Sequence, residues 1–151
     1  MIHNNINPTL YVLGFAFNED NTKVLLIEKN RPNWQVGKLN GVGGHMEKNE
    51  SAREAMIREF EEESNLRNEN WTQYCAMEGD GFVVYVFASY HNDNLSDFVN
   101  MTDEKLSIIE VKELHANSSI KTISNIPWLV NMALDYDVMI QNVEPVMIYY
   151  D

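Results

Sequence analysis

Glu59, Glu62 and Glu63 lie in one short run, Arg58-Glu59-Phe60-Glu61-Glu62-Glu63, shortly after the glycine pair Gly43-Gly44. In a helix, positions i, i+3 and i+4 share a face, so these carboxylates are expected to converge. Carboxylates a few ångströms apart repel one another unless a positive charge stands between them. Oxygen ligands of this kind suit a hard divalent cation, Mg²⁺ or Mn²⁺. The residues therefore point to metal-centred chemistry.

A helix is needed to hold them, and the segment from Ser51 to Ser64 supplies one. It is rich in Ala, Glu, Met and Arg, which favour the helical state. Asn49 is a candidate cap, and Ser51 with Glu54 forms a candidate capping box. Ala52, Ala55 and Met56 make an apolar stripe, and steps of three and four residues continue it to Glu59, Glu62 and Glu63. Those carboxylates are thus expected on the inward side, with Glu54 and Glu61 toward solvent. A glutamate run is ordinarily a solvated helix end. Here the acid falls on the inward face, where unpaired charge costs several kcal/mol, and near the helix C-terminus, where the dipole disfavours it. A bound metal relieves both penalties.

The spacing resembles the Nudix box, G-x5-E-x7-R-E-U-x-E-E-x-G-U, with U a bulky aliphatic residue. Gly44, Glu50, Arg58-Glu59, Glu62-Glu63 and Leu66 occupy its fixed positions, over about a sixth of the chain. Two positions depart from it. Phe60 is aromatic where the family is usually aliphatic, and Asn65 replaces the last glycine. That site ends a helix in the left-handed region, for which Asn is the best residue after glycine.

The resemblance implies an α/β fold, an α/β/α sandwich around a mixed β-sheet. It also implies a hydrolase that cleaves a nucleoside diphosphate linked to another group, by attack of water on phosphorus with metal assistance. Glu62 and Glu63 correspond to the main metal ligands, Glu59 to the next, and the backbone carbonyl of Gly43 or Gly44 to a further one. Arg58 corresponds to a structural cation that holds Glu50 or Glu62. The alternative for Arg58 is an exposed helix ion pair with Glu62, worth a few tenths of a kcal/mol. A carboxylate beside the metals takes the proton of water, with Glu59 and Glu104 both open for that role.

Substrate residues follow from a narrower likeness. Asn40 in Lys38-Leu39-Asn40-Gly41-Val42-Gly43-Gly44 resembles the base-contacting asparagine of oxidised-purine nucleoside triphosphate hydrolases, and it equally suits a turn before glycine. Glu104 in Thr102-Asp103-Glu104 resembles their downstream acidic site; the alternative is a solvated loop acid. Asn125 stands where relatives read the base, and a helix N-cap explains it as well. Trp34 and Arg31 either border the substrate or anchor an exposed loop. Phe82, Tyr85, Phe87 and Trp128 are able to stack on a base, although a core role suits most of them. The proline that ADP-ribose hydrolases commonly carry about fifteen residues beyond the box is missing, and Tyr85 does not align with the tyrosine of dinucleoside polyphosphate hydrolases. A nucleoside triphosphate with an oxidised or non-standard purine is therefore the first expectation. ADP-ribose or another nucleotide-linked diphosphate is the second, and a non-catalytic nucleotide sensor the third.

Composition agrees. The chain has 151 residues and a net charge of -12, with a pI near 4.6. No basic footprint for nucleic acid is visible, and an acidic protein meets a triphosphate best with divalent cations present. Cys75 is the single cysteine, so an intrachain disulfide and a cysteine zinc site are excluded; it reads as a small buried hydrophobe. The first residues do not form a signal peptide, and Phe82 to Ala88 is too short to span a membrane, so a soluble cytoplasmic protein is expected. We read residues 1–151 as a single domain, monomeric or homodimeric. Leu10 to Phe17 and Lys23 to Glu28 read as strands around a turn, and Trp71 to Met77 and Phe82 to Tyr90 as a second hairpin. Leu106 to Val111 reads as a strand, and Pro127 opens a helix to about Tyr136. The tail from Gln141 is apolar enough to pack as a strand.

Overall fold

The computed structural model describes residues 7–116, 119–139 and 144–151. Strands β1 (Thr9–Asn18), β2 (Lys23–Glu28), β3 (Leu39–Asn40) and β4 (Val42–His45) precede helix α1 (Ala52–Ser64). Strands β5 (Thr72–Gly79), β6 (Phe82–Asn92) and β7 (Leu106–Glu110) follow, then helices α2 (Glu113–Ala116) and α3 (Ile126–Met139), and strand β8 (Val146–Tyr149). All eight strands join one mixed sheet, with β3-β2-β1-β6-β5-β8 as its main path. Strand β1 runs parallel to β6 and antiparallel to β2 and β4.

Alternation along β1 builds the two faces of the sheet, because successive side chains point to opposite sides. Leu13, Phe15 and Phe17 join a core with Leu114, Ile126, Leu129 and Ala133 of α2 and α3. Val12 and Ala16 join a second core with Ala55, Met56 and Phe60 of α1. The protein is thus the expected α/β sandwich. Phe60, the aromatic variant in the box, is buried edge-on against Trp71 with ring centres 5.1 Å apart. Cys75 is buried in β5, and burial pushes its thiol up to about 11.

The strand expectations hold, with ends that differ by a few residues. The tail does form β8 beside β5, with Val146, Met147 and Tyr149 exposed, while Gln141 to Val143 lie outside the described residues. The first residues, Met1 to Ile6, also lie outside them. Among the described residues no helix is long and apolar enough to cross a membrane.

Candidate active site

Helix α1 is fixed at both ends. The N-cap is Ser51, not Asn49: the Ser51 hydroxyl accepts from the Glu54 N–H, and the Glu54 carboxylate accepts from the Ser51 N–H. Asn49 instead adopts a left-handed φ of 66° in the preceding turn, so it cannot serve as the extended capping residue. At the other end Asn65 takes the left-handed conformation, with φ 62°. The C-terminal carbonyls of Glu63 and Ser64 accept from the N–H groups of Met101 and Val99. This ties the loop after β6 to the acidic end of the helix.

Arg58 is the hub. Its Nε and Nη2 donate to the two oxygens of Glu50 at 2.7 and 2.9 Å. Nη2 also donates to the His45 carbonyl at 3.0 Å, and Nη1 reaches Glu59 at 3.0 Å and Glu62 at 3.2 Å. Bidentate guanidinium–carboxylate pairs are among the strong charge-assisted bonds. Arg58 therefore does far more than make a surface i,i+4 pair. The Arg58 hydrogen bonds hold the Glu50 carboxyl below its ordinary range.

Glu59 and Glu63 are half-buried, and burial pushes both carboxyls above the ordinary range. Arg58 opposes the rise at Glu59, where the neighbouring Glu62 and Glu63 charges add to it. At Glu63 the Thr102 hydroxyl, donating at 3.0 Å, opposes the rise, and the Glu104 charge adds to it. Two glycines let β4 pack closely, Gly43 against the β1 backbone and Gly44 against this helix. A Cβ on Gly43 would sit 1.9 Å from the Val12 carbonyl oxygen, and one on Gly44 would sit 2.6 Å from a Glu59 oxygen. The Gly44 backbone and the Glu59 carboxylate thus share a space that any side chain would fill.

Glu62 departs from the expected inward face. Its side chain is 56% exposed, on the rim of the site. The reason is angular: Phe60 and Ser64 take the buried stripe, which carries Glu63 part-way inward and leaves Glu62 outside. Glu61, expected in solvent, is half-exposed and meets Arg67 at 3.6 Å. Nor do the three carboxylates converge as they stand. Among the described residues no three His, Cys, Asp or Glu side chains are gathered to hold a metal. Arg58 draws Glu59 and Glu62 to itself, and Thr102 takes Glu63. The donors nevertheless fit a hard divalent cation: all are oxygens, two are carboxylates in a partly desolvated cleft, and a glycine backbone lies against one of them.

Glu104 is not a solvated loop acid. It is 5% exposed and accepts from the Asn30 N–H at 2.6 Å and from Lys29 Nζ at 3.0 Å. Burial pushes its carboxyl up, but these donors overcome that and hold it below the ordinary range. Thr102 links it to the helix, because the Thr102 hydroxyl accepts from the Glu104 N–H at 3.2 Å while donating to Glu63. Sequence reasoning missed Thr102 as this link and Lys29 as the counter-charge. Lys29 and Glu104 are 75 positions apart, and no local pattern signals such a pair.

The substrate candidates fall in two places. Arg31 is exposed and pairs with Asp103 at 2.7 Å, bracing the loop that carries the 62%-exposed Trp34 against the Glu104 loop. Asn40 is half-buried, accepting from the Gly41 N–H at 2.8 Å and donating to Gln35 at 3.2 Å. The residue lies at the end of β3, and its side chain bridges Gly41 and Gln35. Leu39 beside it exchanges hydrogen bonds with Lys121 and Ile123, which carries the chain leading to Asn125 alongside β3. Asn125 stands just before α3 and its carbonyl accepts from the Leu129 N–H, as an N-cap does, but its side chain makes no capping bond: Oδ1 has no hydrogen-bond partner, and Nδ2 faces Tyr150 and Met77. Phe87 is core, Phe82 and Tyr85 are half-buried, and Trp128 is 39% exposed.

Known structures share this fold. A MutT structure reported for Aliivibrio salmonicida and Vibrio cholerae has a TM-score of 0.70 at 21% identity, covering 85% of this chain and 99% of its own. A Nudix-family hydrolase from Clostridium perfringens has a TM-score of 0.65 at 24% identity, over 86% of this chain and 98% of its own. An ADP-ribose pyrophosphatase from Streptococcus suis has a TM-score of 0.68 at 14% identity, over 93% and 99%. At these identities the likeness is one of fold. Among curated protein sequences none matches. The sequence description of the NUDIX domain matches residues 8–127, most of the chain and all of the site built around α1. The chain belongs to the Nudix family and is a hydrolase of phosphoric anhydride bonds.

Proposed function

We propose that the protein is a Mg²⁺-dependent pyrophosphohydrolase that splits a nucleoside triphosphate into monophosphate and pyrophosphate. Mn²⁺ is the alternative ion. The observation that carries the proposal is the pair of half-buried carboxyls, Glu59 and Glu63, held beside Gly44 and lifted above their ordinary range. Such groups gain from a cation that replaces lost water. Glu59, Glu62 and Glu63, with the Gly44 carbonyl, would hold the metal. When bound, it supplies charge neutralisation on the phosphate oxygens and a more acidic water.

The protein's own groups do the rest. Arg58 orients Glu59 and Glu62 from one fixed guanidinium. Glu59 takes the proton of the attacking water, favoured over Glu104 because Glu104 already accepts from two donors that hold it ionised. Glu104 and Lys29 set the loop that places Thr102 on Glu63. Asn40 and Asn125 contact the base, Asn40 by turning its amide from Gln35. Arg31 and Trp34 border the entrance. An oxidised or non-standard purine is the preferred base, on the likeness around Asn40.

A product-resolved panel in Mg²⁺ tests this, with ordinary and oxidised nucleoside triphosphates beside ADP-ribose and a diadenosine polyphosphate. Monophosphate plus pyrophosphate from a triphosphate is expected. AMP plus ribose phosphate as the only products would replace the triphosphate with ADP-ribose.

A further inference from the structure

We propose that Thr102 is a positioning residue of the site: its hydroxyl holds one oxygen of Glu63 and leaves the other to meet the metal, which suits the site to a small divalent cation. The inference rests on the metal-ligand role given above to Glu63. The Thr102 hydroxyl has one proton and two acceptors within reach, Glu63 Oε2 at 3.0 Å and the Glu104 carbonyl at 3.4 Å. The carboxylate is the nearer and stronger acceptor, so the proton goes to Glu63. The same hydroxyl oxygen accepts from the Glu104 N–H at 3.2 Å. A backbone N–H only donates, so this second bond holds the hydroxyl in the donating sense toward Glu63. Among the described residues no other hydrogen bond or ion pair reaches the Glu63 carboxylate.

The loop that carries Thr102 is tied on both sides. Toward α1, the Val99 and Met101 N–H groups donate to the Ser64 and Glu63 carbonyls at 2.9 and 3.4 Å. Toward β2, Asn30 Nδ2 donates to the Asp103 carbonyl at 2.8 Å, and the Glu28 N–H donates to the Lys105 carbonyl at 2.8 Å. Lys29 and the Asn30 N–H grip the Glu104 carboxylate between them. Asn100 Oδ1 accepts from the Leu106 N–H at 2.8 Å and closes the loop on itself. Thr102 therefore has a place set by backbone bonds rather than by Glu63, and such a fixed partner is what orients a metal ligand. Thr102 is an exposed residue, so burial does not explain its contact with Glu63. With Oε2 engaged, the Glu63 carboxylate offers Oε1 alone. Mg²⁺, small and near-octahedral, is served by single oxygens, whereas Ca²⁺ readily takes both oxygens of one carboxylate. The hydroxyl thus favours the smaller ion.

The test titrates the full chain with Mn²⁺ in the absence of nucleotide, followed by water proton relaxation, and displaces the Mn²⁺ with Mg²⁺ or with Ca²⁺. Thr102→Val removes the hydroxyl at nearly constant volume, and Thr102→Ala removes it without added bulk. Each is expected to weaken Mg²⁺ binding by about ten-fold. Ca²⁺ binding is expected to change by less than about three-fold, because the released carboxylate offers it both oxygens. Thr102→Ser keeps the hydroxyl and is expected to retain wild-type values for both ions. Melting curves without metal verify the fold of each variant. A role for Thr102 confined to stability would weaken both ions alike and would not be rescued by serine alone. Wild-type Mg²⁺ affinity in the Val and Ala variants, or an equal loss for Mg²⁺ and Ca²⁺, overturns the role given to Thr102 and leaves the hydrolase reading intact. Tighter Mg²⁺ binding in those variants overturns it too, since the hydroxyl would then be a contact the metal has to break. Absence of Mn²⁺ binding by the wild-type chain overturns the metal role of Glu63 and this inference together.

Discussion

Glu63 and Glu104 sit on either side of Thr102, and burial acts on both, yet their carboxyls are displaced in opposite directions. The difference lies in the donors. Glu104 receives a backbone N–H and an ammonium, whereas Glu63 receives one hydroxyl and feels the charges of Glu104 and Glu62. A buried carboxylate with its donors in place is a strut; one short of donors seeks a cation. Position on the inward side of a fold is shared by both kinds and does not separate them.

Substitutions at the two positions sharpen this contrast. Glu63→Gln is expected to lower kcat by about 10²–10⁴-fold and to leave the melting temperature nearly unchanged, because it removes a repelled charge. Wild-type turnover in Glu63→Gln, or in Glu62→Gln, would remove the metal assignment. Arg58→Lys retains the charge but loses the bidentate grip on Glu50 and the reach to Glu59 and Glu62. It should cost about 1–3 kcal/mol of stability, read by denaturant titration, with activity falling alongside. Glu104→Gln should show the reverse of Glu63→Gln: a stability loss of about 1–2 kcal/mol with kcat lowered less than in Glu63→Gln. If Glu104→Gln proves as stable as wild type but inert, Glu104 is the base and the contrast fails.

Acidity offers a test without mutation. The folded carboxyls of Glu59 and Glu63 lie above their unfolded value, so they take up protons first as pH falls from neutrality. Mg²⁺ affinity, measured by calorimetry, is therefore expected to weaken on acidification before Glu50 and Glu104 titrate. Their folded values are depressed, so the stability they contribute is present above the ordinary carboxylate range and is lost only as pH falls through the lower folded values. Metal affinity and metal-free stability should thus fail in that order on acidification. The smallest effect belongs to Arg31→Ala. The Arg31–Asp103 pair is well exposed on both sides, so stability should hardly move; a marked rise in KM would implicate Arg31 in phosphate binding.

Much of this is legible in the sequence. The capping box at Ser51 and Glu54, the left-handed Asn65 and the strand pairs follow from local chemistry that operates over a few residues. The Arg58–Glu50 pair is legible too, beside the weaker surface pair of Arg58 with Glu62. The exposure of Glu62 was not, because the face of a helix end depends on which neighbours fill the groove, and here Phe60 packs on Trp71. Asn49 looked as good a cap as Ser51 until the turn consumed it.

The sequence by itself determined the family, the helix that carries the acids and the oxygen-rich character of the site, because those depend on residue type and short spacing. The tertiary structure alone decided which acid is a strut and which is short of donors. It also decided that the Asn125 amide has an oxygen left over. Lys29 meets Glu104 across 75 positions and Tyr150 meets Asn125 across 25. Only the folded sheet brings such distant groups within hydrogen-bond range, and a carboxyl or an amide takes its role from the partners it meets there.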